Sequence, residues 1–136
     1  MNTTTRVVSI AVSAVLLGAC ASGGGMYSQP YALFEAAQRM PAEDQRPAFV
    51  LNIDGKNVTI NTNDPVEPGK RTVELSIPGP AGMSDPGRDT LVVDAKPCTR
   101  YYFAARRSSL TARDWKAFVA SSEPIGDCTK RFSAAK

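Results

Sequence analysis

Histidine is absent from the 136 residues, which removes Ser-His-Asp triads, Cys-His dyads and His-ligated zinc from anything this chain does alone. Cysteine is scarce, at three residues, and the close Cys-X-X-Cys spacing of a reactive dithiol does not occur. An excess of one charge is nearly missing too. The 16 Lys plus Arg face 13 Asp plus Glu, and a net charge of +3 is too small and too evenly spread for a dedicated nucleic-acid binder. The apolar run from Val7 to Leu17 has eleven residues, well short of the about 20 that a membrane-spanning helix needs. What remains is enough chain for one compact domain with a tail or linker, and its ten Gly and ten Pro describe a turn-rich globular composition.

At the N-terminus Arg6 precedes that apolar run, which closes on Leu17-Gly18-Ala19-Cys20. The length fits the apolar region of a secretory signal. The four residues resemble the lipobox of a bacterial lipoprotein: a branched apolar residue three places before the cysteine, then small side chains that let a peptidase reach the backbone. The resemblance implies that residues 1–19 are a signal peptide and that Cys20 becomes the first residue of the mature chain. Cys20 would carry a thioether-linked diacylglyceryl group and, in Gram-negative bacteria, an amide-linked third acyl chain. At about 0.8 kcal/mol per buried methylene, two or three chains anchor far more firmly than one. Ala21, where the Gram-negative rule reads an Asp as inner-membrane retention, then implies the outer membrane. The alternatives are a cleaved signal in which Cys20 is a bystander, or a buried helix with a core cysteine.

Ala21-Ser22-Gly23-Gly24-Gly25 reads as a flexible tether. From Pro30 to Met40 the apolar positions Leu33, Phe34, Ala37 and Met40 approximate helical spacing, so a short helix is expected before Pro41 to Pro47 breaks the pattern. Residues 20–47 are thus read as lipidated cysteine, linker and short helix, 48–132 as the folded domain and 133–136 as a tail. With Cys20 committed to lipid, Cys98 and Cys128 remain. In a secreted protein an even pair predicts a disulfide, here closing a loop of about 31 residues. Two buried free thiols, or a redox pair, are the competing readings.

The domain reads as β-structure. Ala48 to Ile53 alternates, with Phe49, Leu51 and Ile53 on one face, and Asn57 to Asn61 places Val58 and Ile60 similarly. Between them Asp54-Gly55 is a strong hairpin signal, because both residues tolerate the positive φ that a tight turn needs. Pro68-Gly69 launches Arg71 to Ile77, with Val73, Leu75 and Ile77 facing inward. Pro78 to Arg88, with three Pro and three Gly, reads as an exposed loop. Strands are expected again at Thr90 to Asp94, Arg100 to Arg106 and Trp115 to Ser121. About six short strands between Gly/Pro turns predict a mainly β fold, a small antiparallel β-sandwich of Ig-like plan. The segments Ile53-Asp54-Gly55, Pro68 to Leu75 and Tyr101 to Ala105 are similar to PEGA-like surface domains and to small bacterial lipoproteins built on that plan. That family carries no assigned activity. The Pro/Gly-rich loop and the cysteine pair are additions to it.

Chemistry-bearing residues are few. Asp85, Asp89 and Asp94 lie close in sequence but lack the spacing of a calcium loop, and Ser108 and Ser109 sit beside Arg106 and Arg107 without a Ser-x-x-Lys motif. Arg100, Arg106, Arg107, Arg113 and Lys116 interleave with Tyr101, Tyr102, Phe103 and Trp115. Such a mixture suits single-stranded nucleic acid in a cytosolic protein, but export replaces that partner with envelope polyanions. The competing reading places the aromatics in the sandwich core, with Arg106 and Arg107 ending a strand. The sequence therefore predicts a non-catalytic binding or structural module of the cell envelope, needing no cofactor or metal. It is held to membrane lipid through Cys20, and Arg88, Arg106 and Arg107 form the surface for an envelope protein or anionic glycan. The alternative is a hydrolase of cell-wall glycan or peptide that uses carboxylates or a serine.

Overall fold

The computed structural model describes residues 27–39, 42–58, 64–79, 87–109, 112 and 114–133. The expected signal peptide, Cys20 and the tether lie outside the described residues, as do Asp85, Arg113 and most of the Pro/Gly-rich loop. Two sheets face each other across one apolar core, which makes the fold mainly β and consistent with a small sandwich.

One sheet is organised by β7 (Thr99–Arg107). Along one edge it pairs first with β1 (Ala32–Ala36), in parallel, and then with β2 (Gln45–Pro47), antiparallel. The change of partner falls at Phe103, whose carbonyl accepts from both Ala37 N (2.9 Å) and Ala48 N (3.2 Å). The other edge of β7 carries β8 (Trp115–Pro124), antiparallel, with a register shift opposite Tyr102 and Phe103. The second sheet runs β4 (Lys56–Asn57), β3 (Phe49–Ile53), β5 (Gly69–Ile77), β6 (Gly87–Ala95), all antiparallel.

The stretch expected to be a short N-terminal helix is therefore strand β1, and β1 and β2 carry the sheets upstream of residue 48. The physical reason is in Ala32-Leu33-Phe34, three consecutive buried residues. A parallel strand covered on both faces needs such a run. Ala32 and Phe34 enter the main core, while Leu33 packs on the opposite face against Ile125 and Cys128. The helix lies instead at the other terminus: α1 (Gly126–Ser133) starts two residues after Pro124 ends β8. Asp127 in its first turn and Lys130 and Arg131 in its last match the helix dipole.

The core is set by period-two alternation. Val73, Leu75 and Ile77 of β5 meet Val93 and Ala95 of β6 and Tyr101, Phe103 and Ala105 of β7. Phe103 is wholly buried and takes Phe34 edge-on, with ring centroids 5.3 Å apart. Burying a side chain of that size contributes about 1.5–3 kcal/mol. Strand β3 departs from the expected face. A bulge between Val50 and Asn52 breaks the alternation, so Val50 and Ile53 pack on the core and Phe49 is 41% exposed. The hairpin tip has Asp54 at φ 51° and Gly55 at φ 82°, a pair of positive values that fits a type I′ turn.

Cys98 and Cys128 form a disulfide. It joins the β6–β7 turn to α1, so the small cluster of Leu33, Ile125 and Cys128 closes over the outer face of β1. Cys98 itself sits at φ 54° and is gripped on both sides: its N–H donates to Tyr31 O (2.7 Å) and its carbonyl accepts from Ile125 N (2.8 Å).

Candidate functional site

Because β7 is nine residues long, its two ends stand about 26 Å apart. At its start the chain enters: Tyr31 is bonded to Cys98, and Tyr27 packs edge-on against Tyr31 with centroids 4.9 Å apart. At its finish lies an aromatic and cationic cluster. Strand pairing places Arg46 opposite Ala105 and Trp115 opposite Arg107, all on the core-facing side of the sheet, where the apolar interior gives out. The guanidinium of Arg46 lies 5.1 Å from the Trp115 ring centroid and that of Arg107 lies 5.3 Å from it. A ring face attracts a guanidinium through its quadrupole, an interaction worth about 0.5–2 kcal/mol depending on desolvation. One nitrogen of Arg46 donates to Pro78 O (3.0 Å), tying this end to the second sheet. Arg107 Nε is buried with no hydrogen-bond partner among the described residues.

The neighbouring Arg106 points to the outer face of the same sheet, over the Phe118 ring at 5.0 Å, with its Nε 3.8 Å from Asp44. It is 56% exposed. Arg88 stands apart from these two. It lies opposite Ser76, on the outer face of the second sheet, and is paired with Glu74 at 3.1 Å. Arg106 and Arg107 thus leave the end of β7 on opposite faces, Arg88 stands on the outer face of the second sheet, and Arg46, which sequence reasoning missed, joins Arg107 on Trp115. No local signal marks Arg46: it sits in a three-residue strand whose partner is about 60 positions away.

The aromatics divide between core and surface. Tyr101 and Phe103 fill the core. The Tyr101 hydroxyl still reaches the backbone at the β6–β7 turn, donating to Asp94 O and accepting from Lys96 N. Tyr102 faces outward and donates to Glu123 at 2.7 Å, which pushes its phenol above the ordinary range. Beside it Arg100 has Nη1 3.3 Å from Glu123 and Nε 3.0 Å from Glu35, the latter a charge contact without hydrogen-bond alignment. Tyr102 first, and then Glu35 and Glu123, outweigh burial and hold Arg100 protonated beyond its usual range.

The carboxylates are not paired. Asp89 lies opposite the buried Leu75, whereas Asp94 is five positions on, shares its face with exposed Val92, and so points the other way. Asp89 has a structural partner: Oδ2 accepts the N–H of Ala117 (2.8 Å) and Oδ1 that of Thr90 (3.0 Å), which latches the β6 edge to β8. Ser108 donates to the Asp114 carboxylate at 3.2 Å. At the hairpin tip, Asp54 accepts the Thr72 N–H (2.8 Å) and pairs with Arg71 (2.9 Å). The Thr72 bond, and then Arg71, pull its carboxyl below the usual range. Among the described residues no cluster of three His, Cys, Asp or Glu is arranged for a metal, and no helix is long and apolar enough to cross a membrane.

Comparison with known families, curated proteins and solved structures finds no match for this chain.

Proposed function

We propose that the protein is a lipid-anchored, non-catalytic binding module of the bacterial envelope, built on a PEGA-like sandwich. Acylated Cys20 holds it to the outer membrane on the periplasmic side, and the Arg106/Arg107 end meets its partner. The reading rests on one geometric observation. The chain enters the sandwich beside Cys98, at one end of β7, and the aromatic-backed cations stand at the other end of the same strand. A domain tethered through its N-terminus at the first end presents the second outward. The Leu17-Gly18-Ala19-Cys20 motif supplies the anchor.

The test is fractionation of the parent and a Cys20→Ser variant, with intact mass of the mature chain. The parent should stay with the membrane and carry acyl mass on Cys20, whereas the variant should be released. A variant that remains in the membrane in the same processed form as the parent overturns the proposal.

A further inference from the structure

We infer that Arg46 and Arg107, held on Trp115, form a binding site for the carboxylates of an anionic polymer. The inference rests on the preceding reading, in which this end is the partner surface, and names what that surface takes.

A guanidinium lying over an indole face has its plane fixed while its N–H edges stay free to donate. It then loses little rotational freedom when it meets a planar anion. A carboxylate offers two acceptor oxygens that match one such edge as a fork, and charge-assisted bonds of this kind are roughly twice as strong as neutral ones. Arg46 donates one side-chain hydrogen bond, to Pro78 O, and neither Arg46 nor Arg107 has a carboxylate partner among the described residues. Of the acids at this end, Asp89 is engaged by two backbone N–H groups, Asp114 by Ser108 and Asp44 by Arg106, while Glu43 is exposed. These same acids keep the summed charge of this end low. Long-range attraction of any polyanion is therefore weak here, and recognition falls to the two short-range forks.

Lipid phosphates of the anchoring leaflet are the other anions within conceivable reach. Residues 20–26 span at most about 25 Å, no more than the length of β7. The Arg46/Arg107 end would reach that leaflet only with the tether fully drawn out and the domain inverted. A carboxylate polymer lying beyond the domain fits the geometry; the head groups behind it do not.

Trp115 is the single tryptophan of the chain, so its emission reports the site directly. The experiment uses the full chain carrying Cys20→Ser, free of acyl groups, so a failed titration leaves the anchor reading to its own test. Poly-L-glutamate is added as the carboxylate probe and inorganic polyphosphate as the phosphate comparator. Poly-L-glutamate should change Trp115 emission saturably. R46Q/R107Q should weaken its apparent Kd at least tenfold, and K130Q/R131Q, at the other end, should leave it within twofold. R46K/R107K keeps the charge and loses the planar fork, so it should also weaken binding at least tenfold; it serves if the glutamine pair fails to fold. Absence of a saturable change in the parent, undiminished affinity in R46K/R107K, or saturation by polyphosphate alone would each overturn the assignment.

Discussion

Removing the Cys98–Cys128 bridge should weaken the domain more than most single changes on its surface. The two cysteines are 30 positions apart, and the loop they close contains all of β7 and β8. For a closed loop of about 31 residues the chain-entropy relation gives about 12 cal/mol/K, or about 3.7 kcal/mol at 25 °C. Against a total stability of about 5–15 kcal/mol for an ordinary domain, that is a large fraction. The perturbation is C98A/C128A, read by urea unfolding. With a slope of about 1.5 kcal/mol/M, the midpoint should fall by about 2.5 M. A companion variant separates cross-linking from backbone geometry. Cys98 occupies the left-handed region at φ 54°, where a Cβ costs about 1–2 kcal/mol and glycine costs less in contacts but more in chain entropy. C98G/C128A should therefore unfold about 0.5 kcal/mol later than C98A/C128A. An unchanged midpoint in C98A/C128A, or an intact mass showing two free thiols in the parent, would refute the reasoning.

Asp54 supplies a pH dependence. Its carboxyl is held below the usual value of about 3.9 in the folded state, so its stabilisation is fully present above that value and fades as pH falls through the depressed one. The gap in urea midpoint between the parent and Asp54→Asn should be open at pH 6 and narrow as pH falls below the ordinary carboxyl range; a gap that stays constant as the solution is acidified contradicts the assignment. Asp89→Ala removes the acceptor from the Ala117 N–H at the β6/β8 edge. Stability should drop by about 1–2 kcal/mol and amide exchange at Ala117 should quicken, whereas unaltered exchange there would show that Asp89 does not latch the edge.

Local signals in the sequence were the dependable ones. Asp54-Gly55 dictates its turn through its own φ preferences, and Val73, Leu75 and Ile77 declare the inward face of β5 by alternation alone. The cysteine pair was legible from its count. What failed depended on partners far along the chain. Ala32-Leu33-Phe34 suits a helix or a doubly covered strand equally well, and only β7 decides between them. The bulge at Val50/Asn52 turned Phe49 outward for a reason that lies in the pairing with β5. Helix α1 is eight residues long and held in place by Leu33 and the disulfide, so its own sequence carried too little pattern to announce it. Arg106 and Arg107 drew notice together because they adjoin in the chain, yet strand alternation sends Arg106 over Phe118 and Arg107 onto Trp115. Arg46 drew none, because it meets Trp115 only after both strands have docked on β7.

The double acceptance at the Phe103 carbonyl has a bearing on how the molecule assembles. Both N-terminal strands need β7 as their template, and Ala32 waits for Thr99, about 67 positions downstream. Whatever delivers this polypeptide from its N-terminus, a ribosome or a translocation channel, releases β1 and β2 long before anything exists for them to zip onto. The leading half stays without a complete sheet until the trailing half arrives, which is the condition a narrow conduit requires of its passenger.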